Sequence, residues 1–118
     1  MKHSVLVVDD DDAIRESIID ALEDCGFDAD GAVNGADALR KLRAANDRPC
    51  LILLDLMMPV LDGSGFREAQ MRDPALADIP VVVCTAQTVR QSAELDKLTQ
   101  LPKPMRLDQL VATVQRYC

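Results

Sequence analysis

Two kinds of hydrophobic pattern alternate along this chain. Short unbroken apolar runs, Val5-Leu6-Val7-Val8, Leu51-Ile52-Leu53-Leu54 and Val81-Val82-Val83-Cys84, are separated by stretches with apolar residues at helical spacing. An apolar run without polar alternation predicts a strand buried on both faces, as in a parallel sheet beneath helices. The central run stops on Asp55, and Pro59 soon after ends regular structure because it lacks an N–H and restricts Met58. Asp55 is therefore expected where a buried strand opens into a loop. In open α/β sheets, ligands bind at that edge.

Taken in order, Ser4 to Val8 is a strand that runs into four consecutive aspartates, Asp9 to Asp12. The last can cap a helix starting at Ala13. Ile14, Ile18, Ala21, Leu22 and Cys25 trace its apolar stripe, and Gly26 is its terminator. Residues 27–33 predict a weak strand, and the interruptions at Asp28, Asp30 and Gly31 suit a sheet edge. Asn34-Gly35 signals a turn, followed by a helix over 36–45 with Ala38, Leu39 and Leu42 inward. After the central strand, Asp62-Gly63 is a turn and 64–71 a helix with Phe66 and Ala69 toward the sheet. Pro74 and Pro80 bracket a loop before the Val81 run, which ends on Thr85-Ala86. A weakly amphipathic helix over 88–96, a short strand over 98–101 and a last helix striped by Leu107, Leu110, Val111 and Val114 complete the chain.

Strand then helix, five times, predicts an α/β fold with a doubly wound five-stranded parallel sheet. The 118 residues are expected to form a single domain spanning 1–118, with no output domain in this chain. A core of that size buries roughly two-thirds of the unfolded surface. Phe27, Phe66 and Tyr117 are the aromatics, so aliphatic residues must build most of it. The net charge of −7 argues against nucleic acid or an anionic membrane as partner. No apolar window reaches the ~20 residues of a membrane span, and no signal peptide opens the chain, so a cytoplasmic location is expected. The cysteines at 25, 50, 84 and 118 are widely spaced without a CxxC pair. They read as small core hydrophobes, with Cys118 exposed; neither a disulfide nor zinc is expected.

Four of the five strands end on chemically loaded residues: Asp9-Asp10, Asp55, Thr85-Ala86 and Lys103. Parallel strands put all four ends on one edge. Singly, each has a structural explanation: a helix cap, a strand-end bond, a solvated ammonium. Jointly they describe a site. Three converging carboxylates call for a cation, and a hard divalent ion with oxygen ligands, Mg²⁺ or Mn²⁺, suits them. With one ammonium and one hydroxyl, the set fits phosphoryl transfer, and Asp55 is the candidate nucleophile.

Val7-Val8-Asp9-Asp10, Leu54-Asp55-Leu56-Met57-Met58-Pro59 with Asp62-Gly63, Cys84-Thr85-Ala86 and Lys103-Pro104 together resemble the signature of response-regulator receiver domains. That resemblance implies a (βα)₅ flavodoxin-like fold with strand order 2-1-3-4-5. It implies that Asp55 accepts a phosphoryl group from a sensor histidine kinase or histidine phosphotransfer protein and signals to a downstream protein target. By the same resemblance, Asp9, Asp10, Asp55 and the Met57 backbone carbonyl hold the metal, while Thr85, Ala86 and Lys103 hold the phosphoryl group. It implies no enzyme beyond self-phosphorylation and slow aspartyl-phosphate hydrolysis; apolar Met57 offers hydrolytic water no orienting group.

The sequence departs from the family in three places. Thr85 and Lys103 are only 18 positions apart, Gln100 stands where an aromatic switch residue is usual, and Met105 follows Lys103-Pro104. The expected output is therefore a shift of the Thr85–Leu101 face without an aromatic rotor. The alternatives are a phosphoryl sink and a degenerate receiver that binds protein independently of phosphorylation. A dehalogenase-type phosphatase lacks its second signature carboxylate here, and a flavodoxin lacks its phosphate-cradling loop.

Overall fold

The structure, a computed structural model, describes residues 4–44, 48–55, 63–85, 99–102 and 106–118, with backbone alone at 63–64, 85 and 99–102. The strands are β1 (Ser4–Val8), β2 (Asp28–Ala32), β3 (Leu51–Asp55), β4 (Val81–Thr85) and β5 (Thr99–Pro102). The described helices are α1 (Asp12–Asp24), α2 (Gly35–Ala44), α3 (Gly63–Arg72) and α4 (Leu107–Tyr117). The expected helix over 88–96 lies outside the described residues. All strand pairs are parallel, in the order β2-β1-β3-β4-β5, as the family resemblance implies.

The unalternating runs have the predicted consequence. All of β3 is buried, because it is central and covered on both sides. Leu6, Val8, Ile52 and Leu54 pack with Leu39 and Leu42 of α2 and Phe66 of α3. Their neighbours Val5, Val7, Leu51 and Leu53 face the other way, onto Ile18 and Leu22 of α1 and Leu110 and Val114 of α4. The period of two along each strand thus divides one sheet between two cores. Phe66 is fully buried, which contributes roughly 2–3 kcal/mol. Polar β2 is at the edge, where its single covered flank tolerates Asp28 and Asp30.

Helix ends show where side-chain chemistry refines the pattern. Asp11, not Asp12, caps α1: its backbone is extended and its carboxylate accepts the Ile14 N–H at 3.1 Å. At the other end Gly26 adopts φ +91°, and Phe27 and Gly26 donate to the Leu22 and Glu23 carbonyls at 3.0 Å each. That paired closure requires the left-handed residue that glycine supplies. Cys25 falls beyond the helix and is exposed, and Ile14 is 38% exposed, so the predicted stripe is buried only in its middle. Asn34 proves to be a helix cap rather than a simple turn residue, its side chain accepting the Asp37 N–H at 2.8 Å.

The cysteine expectation holds for Cys84, buried in the core, and is overturned for the absence of a disulfide. Cys50 and Cys118 form a disulfide, their Cα atoms 5.5 Å apart across a sequence separation of 68. α4 runs back across the sheet, and its burial against the β1–β3 face carries the chain end to Cys50, just before β3. Gln70 was likewise silent in the sequence pattern. It is fully buried in α3, its amide donating to the Leu76 and Ile79 carbonyls at 2.9 and 3.0 Å, and so fastens the α3–β4 connection. Among the described residues, no helix is long and apolar enough to cross a membrane.

Candidate phosphoacceptor site

The carboxyl edge of the sheet gathers acidic side chains because adjacent parallel strands end together. Val8 is in register with Leu54, so Asp9 and Asp55 emerge side by side from β1 and β3. Both are buried, Asp9 at 2% and Asp55 at 7% exposure, whereas Asp10 faces solvent. Carboxylate oxygens of the three lie within 4.8 Å of one another. Oxygen ligands of Mg²⁺ lie about 2.1 Å from the ion, so the three carboxylates would have to draw closer to share one. All-oxygen, multiply anionic donors suit a hard divalent cation better than a soft one.

The backbone fixes this arrangement. Asp9 donates its N–H to the Ala32 carbonyl of β2 at 3.1 Å and accepts the Asp11 N–H on its carboxylate at 3.0 Å. The Asp9 carbonyl accepts from the Arg15 guanidinium at 2.8 Å. Arg15 belongs to the charged face of α1 by periodicity, and nothing but its three-residue offset from Asp12 hints that it turns back toward the loop.

On the neighbouring strand Asp55 is in register with Cys84, so the backbone of Thr85 ends β4 one residue beyond it. Pro102 of β5 is the register partner of Thr85 and immediately precedes Lys103 in sequence. Gln100 is in β5 opposite Val83. Met57, Ala86, Lys103 and Met105 lie outside the described residues. Of the predicted site, then, the structure brings Asp9, Asp10 and Asp55 together and sets the Thr85 backbone next in line.

The family model for the response regulator receiver domain matches residues 5–115. The chain is a member of that family. This receiver is 39% identical over 119 residues to the response regulator MprA of Mycobacterium ulcerans (strain Agy99), a match covering 98% of this chain and 50% of that protein. It therefore spans about half the length of the curated relatives it matches. Among solved structures, the Vibrio cholerae chemotaxis protein CheY4 superposes with a TM-score of 0.89 at 29% identity, covering 100% of both chains. The signal receiver domain of a signal transduction histidine kinase from Syntrophus aciditrophicus gives 0.82 at 26% identity, covering 98% of this chain and 89% of that one. The acidic cluster fits the phosphoacceptor site of a receiver.

Proposed function

We propose that residues 1–118 act as one receiver domain in which Asp55 takes a phosphoryl group from the phosphohistidine of a sensor kinase or phosphotransfer protein. The observation that carries the reading is the convergence of Asp9, Asp10 and Asp55 within 4.8 Å at the carboxyl edge of the sheet. Asp55 is the nucleophile because it ends the central strand, held by β1 on one side and β4 on the other. Its carboxylate oxygen forms the new bond to phosphorus as the P–N bond of the donor breaks, the electron pair leaving with the imidazole. Asp9, Asp10, Asp55 and the Met57 carbonyl hold Mg²⁺, or Mn²⁺ in its place. Bound there, the ion neutralises charge on the phosphoryl oxygens. Thr85, the Ala86 amide and Lys103 hold those oxygens from the other side.

Output passes through the Thr85–Leu101 face to a protein target, with Gln100 and Met105 in place of the usual switch residues. A chain of net charge −7 does not itself favour a phosphate backbone. The location is cytoplasmic, where kinase and target meet. Turnover is confined to self-phosphorylation and slow hydrolysis, since Met57 presents no polar group to the attacking water.

Intact mass after incubation with acetyl phosphate and Mg²⁺ tests the reading. The wild type is expected to gain one phosphoryl group, and Asp55→Asn and an EDTA control none. A wild type that binds Mg²⁺ yet gains no mass would sink it in favour of a phosphorylation-independent binding module.

A further inference from the structure

We infer that Arg15 positions the acid cluster, bracing the Asp9–Asp10 peptide so that both carboxylates are aimed at one cation; this rests on the metal-holding role proposed for Asp9, Asp10 and Asp55. Arg15 is in the first turn of α1, and its side chain is only 12% exposed, low for an arginine. One guanidinium nitrogen, Nη1, donates to the Asp9 carbonyl at 2.8 Å, and Nη2 pairs with the Asp12 carboxylate. The bracing is therefore on the backbone of the site, not on its three clustered carboxylates.

The side chain is lodged by β2. A Cβ built on Gly31 would fall 2.9 Å from Arg15 Cδ, 3.2 Å from its Nε and 3.0 Å from Ile19 Cδ1. Glycine at 31 is thus what lets the arginine stem cross the strand and reach back to Asp9. It accounts for a residue that β-propensity disfavours in a strand.

The consequence for the site follows from peptide geometry. The Asp9 carbonyl and the Asp10 N–H share one rigid plane. With the Asp9 N–H held by Ala32 and its carbonyl held by Arg15, the plane leading into Asp10 has little freedom. Asp10 is exposed, so no packing fixes its direction, and the backbone must do so. Partners of this kind, which orient ligands without touching metal, typically change metal affinity by roughly 10–100-fold when removed.

The test is Mg²⁺ titration by calorimetry on wild type, Arg15→Ala, Arg15→Lys, Gly31→Ala and the Arg15→Ala/Gly31→Ala double variant, with metal-free thermal unfolding as the folding control. Arg15→Ala is expected to weaken Mg²⁺ binding by about tenfold or more. Arg15→Lys should recover part of it, because an ammonium reaches one partner where the planar fork reaches two. Gly31→Ala should weaken binding by displacing the arginine, and should add nothing in the double variant. Arg15→Ala binding within about twofold of wild type, or single effects that multiply in the double variant, would overturn the inference. If Arg15→Ala does not fold, Arg15→Lys and Gly31→Ala decide it by the same comparison. A wild type that binds no Mg²⁺ would instead overturn the metal-holding reading itself, an outcome the variants are not needed to see.

Discussion

The two ends of β3 are held by opposite means. At the carboxyl end Asp55 is brought against Asp9 and Asp10, like charges gathered where a cation would be held. At the amino end, Cys50 is tied to Cys118 by a covalent bond, and the neighbouring Cys50 N–H donates to the Ser4 carbonyl at 2.8 Å. One end gathers the carboxylates that the chemistry needs. The other is stapled. Stability and function are thereby separated by one strand, with Cys50 just before it and Asp55 at its end.

The largest expected effect breaks the stapled end. Cys50→Ser opens a covalent loop of 68 residues, and loop-closure entropy puts the loss at about 4 kcal/mol, read by urea unfolding without reductant. Phosphoacceptance by the folded variant should persist, because the disulfide lies at the far end of the strand. Next comes Gln70→Leu, which takes a donor from the buried Leu76 and Ile79 carbonyls, although that of Leu76 keeps the Ile79 N–H at 3.1 Å. An unsatisfied carbonyl costs roughly 1–3 kcal/mol, so a loss of about 2 kcal/mol is expected from the same unfolding curves.

At the charged end the sign reverses. Asp10→Asn removes one of three converging charges, so its metal-free melting temperature should rise slightly above wild type. Its further rise on adding Mg²⁺ should be smaller. A metal-free melting temperature below wild type would mean that repulsion is not what distinguishes this end.

The smallest effect is a pH dependence away from both ends. Partial burial raises the Asp37 pKa, but the Val33 N–H, the Arg40 guanidinium and the Lys41 ammonium outweigh it, and the carboxyl titrates below its ordinary 3.8. Its stabilising contribution is present above 3.8 and is lost as pH falls through the lowered value. The stability gap between wild type and Asp37→Asn, measured by thermal melts, should therefore be constant near neutrality and close in acid.

The same contrast explains what could be read from the chain. The acidic end is legible because a parallel sheet turns local signals into a common edge. Each apolar run carries its own terminal residue to that edge, while the strand order that sets Asp9 beside Asp55 comes from the resemblance to receivers. The two-sided burial of Leu51 to Leu54 and the edge placement of β2 follow from patterning for the same reason.

The other features depend on closures that no local pattern announces. Cys50 meets Cys118 only after α4 has packed on β3, and Gln70 meets Leu76 and Ile79 only once a polar side chain is buried in α3. Arg15 follows helix periodicity like any surface arginine, and it is Gly31 on another strand that gives it a path inward. The cap at Asp11 rather than Asp12 turns on which of two adjacent aspartates is extended, a choice composition does not make.

The most direct measurement locates the phosphoryl group. After reaction with acetyl phosphate and Mg²⁺, borohydride reduces an aspartyl phosphate to homoserine, and peptide mass spectrometry assigns the residue. Homoserine at position 55 alone is expected. Conversion at Asp9 or Asp10 instead, or none in a folded protein that binds Mg²⁺, would contradict the assignment of Asp55 as the phosphoacceptor.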